Sequence, residues 1–282
     1  MNVCRTITDV RSEINSLKKE EKRIAFVPTM GALHEGHLTL IQQAHQHGDV
    51  VVVSIFVNPK QFGPDEDFAS YPRELEDDLE KCLQQDVAVV FAPERSEVFD
   101  EENKLSIAIN SLNDHMCGAS RPGFFEGVLL IVNKLFNIIS PDVAVFGQKD
   151  IQQFQIISRM VQEFNHDIHL VMAPIIRAND GLALSSRNAY LSDNERATAP
   201  GLYRALKYLE KQIIGGVTSP KLLLEHQKSE LEAKGFKIDY LNVFSLTTLQ
   251  PENTIQHNQK YIIAGAVWLG KTRLIDNILI EL

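Results

Sequence analysis

Two histidines in the pattern His-Glu-Gly-His are the most distinctive chemical feature of the sequence. His34 and His37 lie three residues apart, shortly after an apolar run that ends at Thr29. At the start of a predicted helix this spacing places both imidazoles on one face, where backbone N–H groups already attract anions. Gly36 removes a side chain, so that a flat ring or a phosphate can approach the backbone. The pattern favours a polyphosphate site over two surface histidines, and over zinc, which favours four-residue spacing and a further ligand.

Two neutral amides follow the second predicted strand. Asn58 and Gln61 lie in the segment Asn-Pro-Lys-Gln, where a strand is expected to give way to a loop. An amide can bind the hydroxyl and carboxylate groups of a small polar substrate without adding charge. The alternative is turn chemistry, because Asn-Pro is typical of loops. The segment alone leaves both interpretations open for Gln61.

A lysine and an acidic residue follow a later predicted strand. Lys149 and Asp150 come shortly after Val143–Phe146, and Gln153 lies one helical turn beyond Asp150. A lysine at the edge of a sheet can act as a point charge on phosphate. The alternative is a solvated, charged helix start.

A third cationic segment lies further along the chain. Leu184-Ser185-Ser186-Arg187 brings together two hydroxyl groups and a guanidinium, which can offer a fork of donors to two phosphate oxygens. The alternative is a common polar loop. Arg121, in the segment Gly-Ala-Ser-Arg-Pro-Gly, is a further candidate cation with the same alternative.

Strand and helix patterns alternate in the first 175 residues. Short apolar runs rich in Val, Ile and Phe predict buried strands, and a 3.6-residue apolar period predicts helices. This alternation indicates βαβ units and a parallel sheet, in which ligands bind beyond the carboxyl ends of the strands. The predicted strands are Arg23–Thr29, Asp49–Asn58, Val87–Ala92, Val143–Phe146 and Ile168–Met172; the predicted helices begin near His34 and at Glu74, Gly127 and Ile151, and end near His47, Gln85, Ile139 and Phe164.

The pattern changes after about residue 177 to two helices followed by three strands. A capping box at Ser192–Glu195 opens a predicted helix to about Ile213, and Ser219-Pro220 opens another to about Lys234. Strands are predicted at Ile238–Phe244, Tyr261–Leu269 and Arg273–Ile280. The predicted fold class is α/β, with a Rossmann-like parallel-sheet domain over residues 1–177 and a smaller α+β C-terminal domain over residues 178–282.

Composition limits the class of protein. The chain has 282 residues, of which 44% are hydrophobic, and 28 basic against 37 acidic residues give 28 − 37 = −9. This acidic balance argues against a nucleic-acid partner. The apolar stretches are shorter than the roughly 20 residues of a membrane helix, and no signal-peptide core is evident. Three widely spaced cysteines indicate reduced thiols, so we expect a cytoplasmic protein with no membrane contact.

Taken in order and spacing, five segments resemble the pantothenate synthetase (pantoate–β-alanine ligase) family of the His-x-Gly-His nucleotidyl-transfer superfamily. The segments are PTMGALHEGH, FVNPKQF, ASRPGFFEGV, FGQKDIQQ and GLALSSRN, and the match extends to the closing WLGKTRLIDN. The resemblance implies that ATP and (R)-pantoate form pantoyl adenylate and pyrophosphate, after which the amine of β-alanine displaces AMP. It also implies a homodimer, and the second domain is expected to act as a lid over the water-labile adenylate.

The resemblance further implies roles for matching residues. Gln61 would bind pantoate and lie beside the β-alanine site, and Gln153 would bind pantoate. Among the catalytic residues, His37 would be the proton donor; the others implied are His34, Lys149, Ser185, Ser186 and Arg187. The implied ATP-binding residues are Met30, Gly31, Ala32, Leu33, His34, Glu35, Gly36, His37, Gly147, Gln148, Lys149, Asp150, Ile176, Leu184, Ser185, Ser186 and Arg187.

Two positions depart from the family pattern. Gln148 stands where glutamate is common, which removes a tether for Lys149, and Phe124 stands where histidine is common, which removes a candidate proton carrier. Neither is an identified phosphate contact, so we expect an active enzyme. Mg²⁺ is expected to bridge the ATP phosphates. Asp77 and Asp78 are candidate outer-shell partners of that ion, although we interpret them as helix-surface carboxylates.

Two other functions are compatible with these motifs. One is an adenylyltransferase that attaches AMP to a phosphate ester and stops there. The neutral amides of Gln61 and Gln153 favour a small hydroxy acid instead, because a phosphate ester calls for extra cations. The other is a nucleotide-binding sensor without catalysis, which the intact set of histidines, lysine and arginine disfavours.

Overall fold

The computed structural model describes residues 1–64, 66–99 and 105–282. These residues form two compact units. The first comprises Met1–Ile109, Pro122–Gly147 and Ile156–Pro174, and the second comprises Asn110–Arg121, Gln148–Gln155 and Ile175–Leu282. The division predicted at residues 177 and 178 stays a prediction.

Helices occur in both units, and most of those predicted are present. The helix predicted from Ser192 to Ile213 is instead two helices, because Pro200 has no N–H with which to continue the ladder. In chain order the helices are α1 Ile7–Lys19, α2 Glu35–His47, α3 Leu75–Gln84, α4 Arg95–Val98, α5 Met116–Ser120, α6 Phe124–Ile139, α7 Ile151–Glu163, α8 Asp193–Thr198, α9 Gly201–Ile214 and α10 Lys221–Ala233.

A six-stranded parallel sheet forms the centre of the first unit. The five strands predicted there are confirmed, and a short N-terminal strand is added to them. The strands are β1 Asn2–Cys4, β2 Ile24–Thr29, β3 Val50–Ile55, β4 Val89–Phe91, β5 Val143–Gly147 and β6 His169–Ala173, in the spatial order β1-β4-β3-β2-β5-β6. Helices cover both faces of such a sheet, which is why β2 and β3 are almost uninterrupted apolar runs.

The sheet reverses its strand order beside β2. The chain continues from β2 to β3 on one side, where Thr29 pairs with Ile55, whereas β5 pairs with the other side of β2, where Ala25 pairs with Val143. All of these ladders are parallel, so the carboxyl ends of β2, β3 and β5 lie at one edge of the sheet. Ligands of open α/β sheets bind at such a switch point. The loop that leads to the histidine pair therefore begins where a ligand is expected.

An antiparallel three-stranded sheet forms the centre of the second unit. Its strands are β7 Lys237–Ser245, β8 Lys260–Leu269 and β9 Thr272–Glu281, with β8 in the middle. Buried residues of α9 and α10, including Leu206 and Leu231, join the inner face of this sheet in one apolar core. The predicted fold class, a parallel-sheet α/β domain with a smaller α+β part, is confirmed.

The three cysteines, Cys4, Cys82 and Cys117, are buried and unpaired with one another, as expected of reduced thiols. In the part of the chain that the structure describes, every helix is too short or too polar to cross a membrane.

Candidate functional site

The loop between β2 and α2 is held by a carboxylate from α3. Gly31 and Ala32 have positive φ angles of 78° and 51°, so the backbone turns sharply here. The N–H groups of Ala32 and Leu33 donate to the two carboxylate oxygens of Asp78 at 2.9 and 2.7 Å. A Cβ on Gly31 would lie 2.7 Å from Asp78 Oδ2. Position 31 therefore needs glycine both for its φ angle and for the approach of this carboxylate.

Asp78 is buried, with only 1% of its surface exposed. Burial raises the pKa of Asp78, while hydrogen bonds from the backbone of Leu33 and Ala32 act to lower it. One turn later, Lys81 donates to the carbonyl of Leu33 at 2.8 Å and pairs with the exposed Asp77. The helix-surface interpretation is therefore confirmed for Asp77 and wrong for Asp78. The reason is that the loop supplies two backbone N–H groups that need a partner once buried.

The histidine pair forms a reciprocal cap at the start of α2. His34 is the N-cap residue, and its Nδ1 accepts from the N–H of Gly36 at 3.1 Å. The N–H of His34 donates in turn to Nδ1 of His37 at 3.3 Å, and the ring centroids are 4.2 Å apart. A Cβ on Gly36 would lie 2.7 Å from Cε1 of His34. The flat ring for which Gly36 leaves space is thus the imidazole of His34.

This cap determines which nitrogen of each ring carries the proton. Because Nδ1 of His34 and Nδ1 of His37 both accept from backbone N–H groups, each neutral ring carries its proton on Nε2. An Nε2–H group is a donor suited to a phosphate oxygen. The helix N-terminus adds the positive end of its dipole. The described geometry therefore suits an anion, and the predicted polyphosphate role of the pair stays a prediction.

Gln61 lies on a short 3-10 helix, Pro59–Gln61, after β3. The amide of Asn58, which is only 1% exposed, holds it in place. Nδ2 of Asn58 donates to Oε1 of Gln61 and to the carbonyl of Gly127, each at 3.0 Å, while Oδ1 of Asn58 accepts from the N–H of Lys60 at 3.2 Å. Asn58 thus makes both the turn and the contact that orients Gln61.

The contact between Asn58 and Gly127 requires α6 to approach the loop closely. A Cβ on Gly127 of α6 would lie 2.0 Å from the carbonyl oxygen of Lys60, so the helix can approach the loop only with glycine there. Nε2 of Gln61 lies 2.9 Å from Sδ of Met30. Two predicted site residues from different loops, Met30 and Gln61, therefore lie together in the first unit.

In the second unit, β9 packs against both predicted phosphate-binding segments. It contacts the 3-10 helix Gln148–Asp150 and the 3-10 helix Ser186–Tyr190. Nδ2 of Asn277 on β9 donates to the carbonyls of Gln148 and Lys149, each at 3.0 Å. Nζ of Lys149 lies 3.9 Å from a carboxylate oxygen of its neighbour Asp150.

A tight hairpin brings the remaining predicted ATP-binding residues together. The N–H of Leu184 donates to the carbonyl of Ile176 at 2.9 Å, and the turn between them contains Gly181 with φ of 97°. Beyond the hairpin, Oγ of Ser185 accepts from the N–H of Arg187 at 3.3 Å and opens the second 3-10 helix. The structure therefore joins Ile176 to Leu184, and Ser185 to Arg187.

Gln153 lies half-buried in the first turn of α7, and its neighbour Gln152 is buried. The amide of Gln152 donates to the carbonyls of Leu112 and His115 at 2.9 and 2.8 Å, and it accepts from the N–H of Gly118 at 3.3 Å. These bonds fix the start of α7, and with it the backbone from which Gln153 projects.

Three buried residues that orient this chemistry, Asp78, Gln152 and Asn277, were assigned no such role from sequence. In the sequence, Asp78 cannot be distinguished from the exposed acidic residue that precedes it. Gln152 lies beside Gln153, the glutamine to which the family resemblance gives a role. Asn277 lies in the closing WLGKTRLIDN segment, which was a signal without an assigned role. Arg121 ends α5, and its role as a cation stays a prediction.

Metal-ligating side chains are not clustered in the part of the chain that the structure describes. The described residues include no group of three or more histidine, cysteine or carboxylate side chains arranged to hold a metal. The carboxylate of Asp78 is engaged by two backbone N–H groups, so it does not suit the outer-shell role considered for it. Mg²⁺ usually binds through one or two carboxylates together with substrate phosphates.

Comparison with known proteins covers nearly the whole chain. The family model described as pantoate-beta-alanine ligase matches residues 2–279. A pantothenate synthetase of Pseudomonas savastanoi pv. phaseolicola is 46% identical over 280 residues, which are 99% of this chain and 98% of that protein. One from Carboxydothermus hydrogenoformans is 48% identical over 280 residues, which are 98% of this chain and 97% of that protein.

Solved structures agree with the sequence matches. Pantothenate synthetase from Thermus thermophilus superposes with a TM-score of 0.90 at 38% identity and covers 99% of each chain. Pantoate-beta-alanine ligase from Francisella tularensis, complexed with beta-gamma ATP and beta-alanine, gives 0.84 at 35% identity, with 99% of this chain and 97% of that chain covered. The chain therefore belongs to the pantoate-beta-alanine ligase family.

Proposed function

We propose that the protein joins (R)-pantoate to β-alanine at the expense of ATP, through a pantoyl-adenylate intermediate, and releases AMP and pyrophosphate. The reciprocal His34–His37 cap carries this proposal. It provides two Nε2–H donors at the N-terminus of α2, directly after the strand at which the sheet order reverses. Family membership and the ATP and β-alanine bound by the Francisella tularensis relative support the same reaction.

In the first step, a carboxylate oxygen of pantoate attacks the α-phosphorus of ATP. The bond from that phosphorus to the bridging oxygen breaks, and pyrophosphate leaves with the electron pair. Both reactants are anions, so donors and cations must hold them in line, and such positioning is worth about 7–11 kcal/mol. We assign His34 and His37 to the phosphates. His37, the proton donor that the family resemblance implies, would donate a hydrogen bond through Nε2–H to the oxygen of the leaving pyrophosphate. Lys149, Ser185, Ser186 and Arg187 are assigned to the triphosphate.

In the second step, the amine nitrogen of β-alanine attacks the acyl carbon of pantoyl adenylate. The bond from that carbon to the phosphate oxygen breaks, AMP leaves with the electron pair, and the nitrogen loses a proton. We assign Gln61 to pantoate and to β-alanine, and Gln153 to pantoate. Asn58 holds Oε1 of Gln61 as an acceptor, so the amide of Gln61 is oriented to donate through Nε2. A donor there suits the carboxylate or hydroxyl of pantoate.

The remaining assignments follow the family resemblance. The ATP-binding residues would be Met30–His37, Gly147–Asp150, Ile176 and Leu184–Arg187. Mg²⁺ would accompany the ATP phosphates as their counter-ion. We also propose a homodimer and a cytoplasmic location, and the lid role of the C-terminal domain stays a prediction.

An assay with each substrate omitted in turn tests the proposed reaction. Rapid AMP release should require ATP, pantoate and β-alanine together, because the amine displaces AMP from the adenylate faster than water does. Omission of β-alanine alone should leave slow pyrophosphate release with little AMP. Turnover with a phosphate ester and no AMP release would favour the adenylyltransferase, and ATP binding without any turnover would favour the sensor.

Substitution of either histidine tests the assignment to the phosphates. His34→Ala and His37→Ala should each lower kcat by about 10²–10³-fold, the scale for removal of one transition-state donor. His45→Ala, at the exposed far end of the same helix, is the matched control and should leave kcat unchanged. Thermal melts should confirm that all three variants fold. Wild-type turnover in both folded site variants would contradict the assigned roles.

Gln61→Ala tests the substrate assignment separately from ATP. Loss of a hydrogen bond to a charged group costs about 1.5–3 kcal/mol, so kcat/KM for pantoate should fall about 10–100-fold. The KM for ATP should stay near its wild-type value. Gln84→Ala, on the exposed face of α3, is the control. Equal losses for pantoate and ATP in Gln61→Ala would count against this assignment.

A further inference from the structure

We propose that Asn277 is a positioning residue that fixes Lys149 for ATP binding. This inference rests on the proposed function, since it concerns the lysine assigned there to the triphosphate. Asn277 lies in the closing segment WLGKTRLIDN, to which neither the family comparison nor the reaction assigns a role.

Every hydrogen bond of the Asn277 amide described here is made with Gln148 or Lys149. Nδ2 donates to the carbonyls of Gln148 and Lys149, each at 3.0 Å, and Oδ1 accepts from Nε2 of Gln148 at 3.2 Å. Asn277 is only 2% exposed. Because both donors and the acceptor meet the same short segment, the amide specifies the backbone of that segment rather than merely filling space.

The strand that carries Asn277 is itself well fixed. Asn277 pairs with Ala264 in the ladder between β9 and β8. Its N–H donates to Oδ1 of Asp276 at 2.8 Å, and Arg177 binds both oxygens of Asp276 at 2.6 and 2.8 Å. A bidentate pair with low exposure restricts rotation of both side chains. The anchor for the Lys149 segment is therefore a rigid part of the second unit.

Lysine needs such an anchor more than most cations do. Its ammonium is a point charge at the end of a flexible four-carbon stem, so the direction of the stem depends on the backbone from which it starts. With the carbonyls of Gln148 and Lys149 both held, the peptide planes around Cα of Lys149 are held as well. The side chain of Lys149 is 23% exposed, and its ammonium lies 3.9 Å from Asp150.

This geometry also explains how Gln148 serves in place of glutamate. Its Nε2–H satisfies Oδ1 of Asn277, which a glutamate carboxylate has no proton to do. The glutamate that is common at position 148 was expected to restrain Lys149, and Gln148 restrains it by another route. Gln148 donates to Oδ1 of Asn277, and Nδ2 of Asn277 donates to the backbone carbonyl of Lys149. Gln148 and Asn277 together form one hydrogen-bonded pair around this turn.

A double-mutant cycle tests whether Asn277 acts through Lys149. Asn277→Asp replaces two donors with acceptors and should lower kcat/KM for ATP about 10–100-fold, since small misplacements of a positioned group cost up to 10²-fold. The KM values for pantoate and β-alanine should change little. In a Lys149→Ala background the same substitution should add less than about 2-fold, because interacting residues are not additive. Equal losses in both backgrounds would overturn the proposal.

A second variant keeps the test valid if Asn277→Asp does not fold. Asn277→Ser introduces no buried charge and should give a loss of about 3–10-fold that also disappears in the Lys149→Ala background. Asn242→Asp, on β7 of the same sheet, is the matched control and should behave as wild type. Wild-type kinetics for ATP in folded Asn277→Ser would overturn the proposal even if Asn277→Asp fails to fold.

Binding measurements separate this inference from the proposed reaction. The affinity of each variant for a β,γ-non-hydrolysable ATP analogue is measured by calorimetry. A wild-type protein that binds the analogue but shows no pantoate- and β-alanine-dependent AMP release contradicts the proposed reaction alone. Weaker binding of the analogue by Asn277→Asp, absent in the Lys149→Ala background, would still support the positioning role, and unchanged binding would overturn it.

Discussion

A buried carboxylate holds the loop that precedes the two histidines. The loop leaves β2 through two residues of positive φ, and the N–H groups of Ala32 and Leu33 point at Asp78. Without that acceptor, two buried backbone donors would lack a partner, at a cost of about 1–3 kcal/mol each. The cap formed by His34 and His37 starts immediately after this loop, so its direction depends on the same contact. The position of the two histidine donors that are assigned to the phosphates therefore depends on one acidic residue of α3.

Buried amides repeat this principle elsewhere in the molecule. Asn58 orients Gln61, Gln152 fixes the turn from which Gln153 projects, and Asn277 holds the backbone of Lys149. An amide can donate and accept at once, so a single side chain satisfies several backbone groups without burying a charge. Neutral amides thus orient the residues assigned to the substrates. The charged side chains of Lys149 and Arg187 are assigned to the phosphates.

The strands and the start of α2 could be predicted from the sequence. The contacts of the buried polar residues could not, because they join segments that are far apart in the chain. Apolar periodicity predicted five of the six strands of the parallel sheet and all three strands of the antiparallel sheet, and the residues around His34 predicted a helix start. Asp78 and Asn277 are separated from their partners Leu33 and Lys149 by 45 and 128 residues, respectively. Their roles depend on which segments the folded chain brings together, and local pattern contains no such information. The same is true of the break at Pro200, where a capping box and an apolar period suggested one continuous helix.

The affinity for a non-hydrolysable ATP analogue, measured by calorimetry on Asp78→Asn and on Asp77→Asn, tests the dependence on this carboxylate most directly. In Asp78→Asn one of the two accepting oxygens is replaced by an NH2 group that faces a backbone N–H, so binding should weaken about 10-fold or more. Asp77→Asn removes an exposed charge from the same helix while Lys81, its partner, keeps its hydrogen bond to the carbonyl of Leu33, so this variant should bind as wild type does. Equal weakening in both variants would indicate a shared role toward a metal–nucleotide complex, and unchanged binding in folded Asp78→Asn would contradict the account outright.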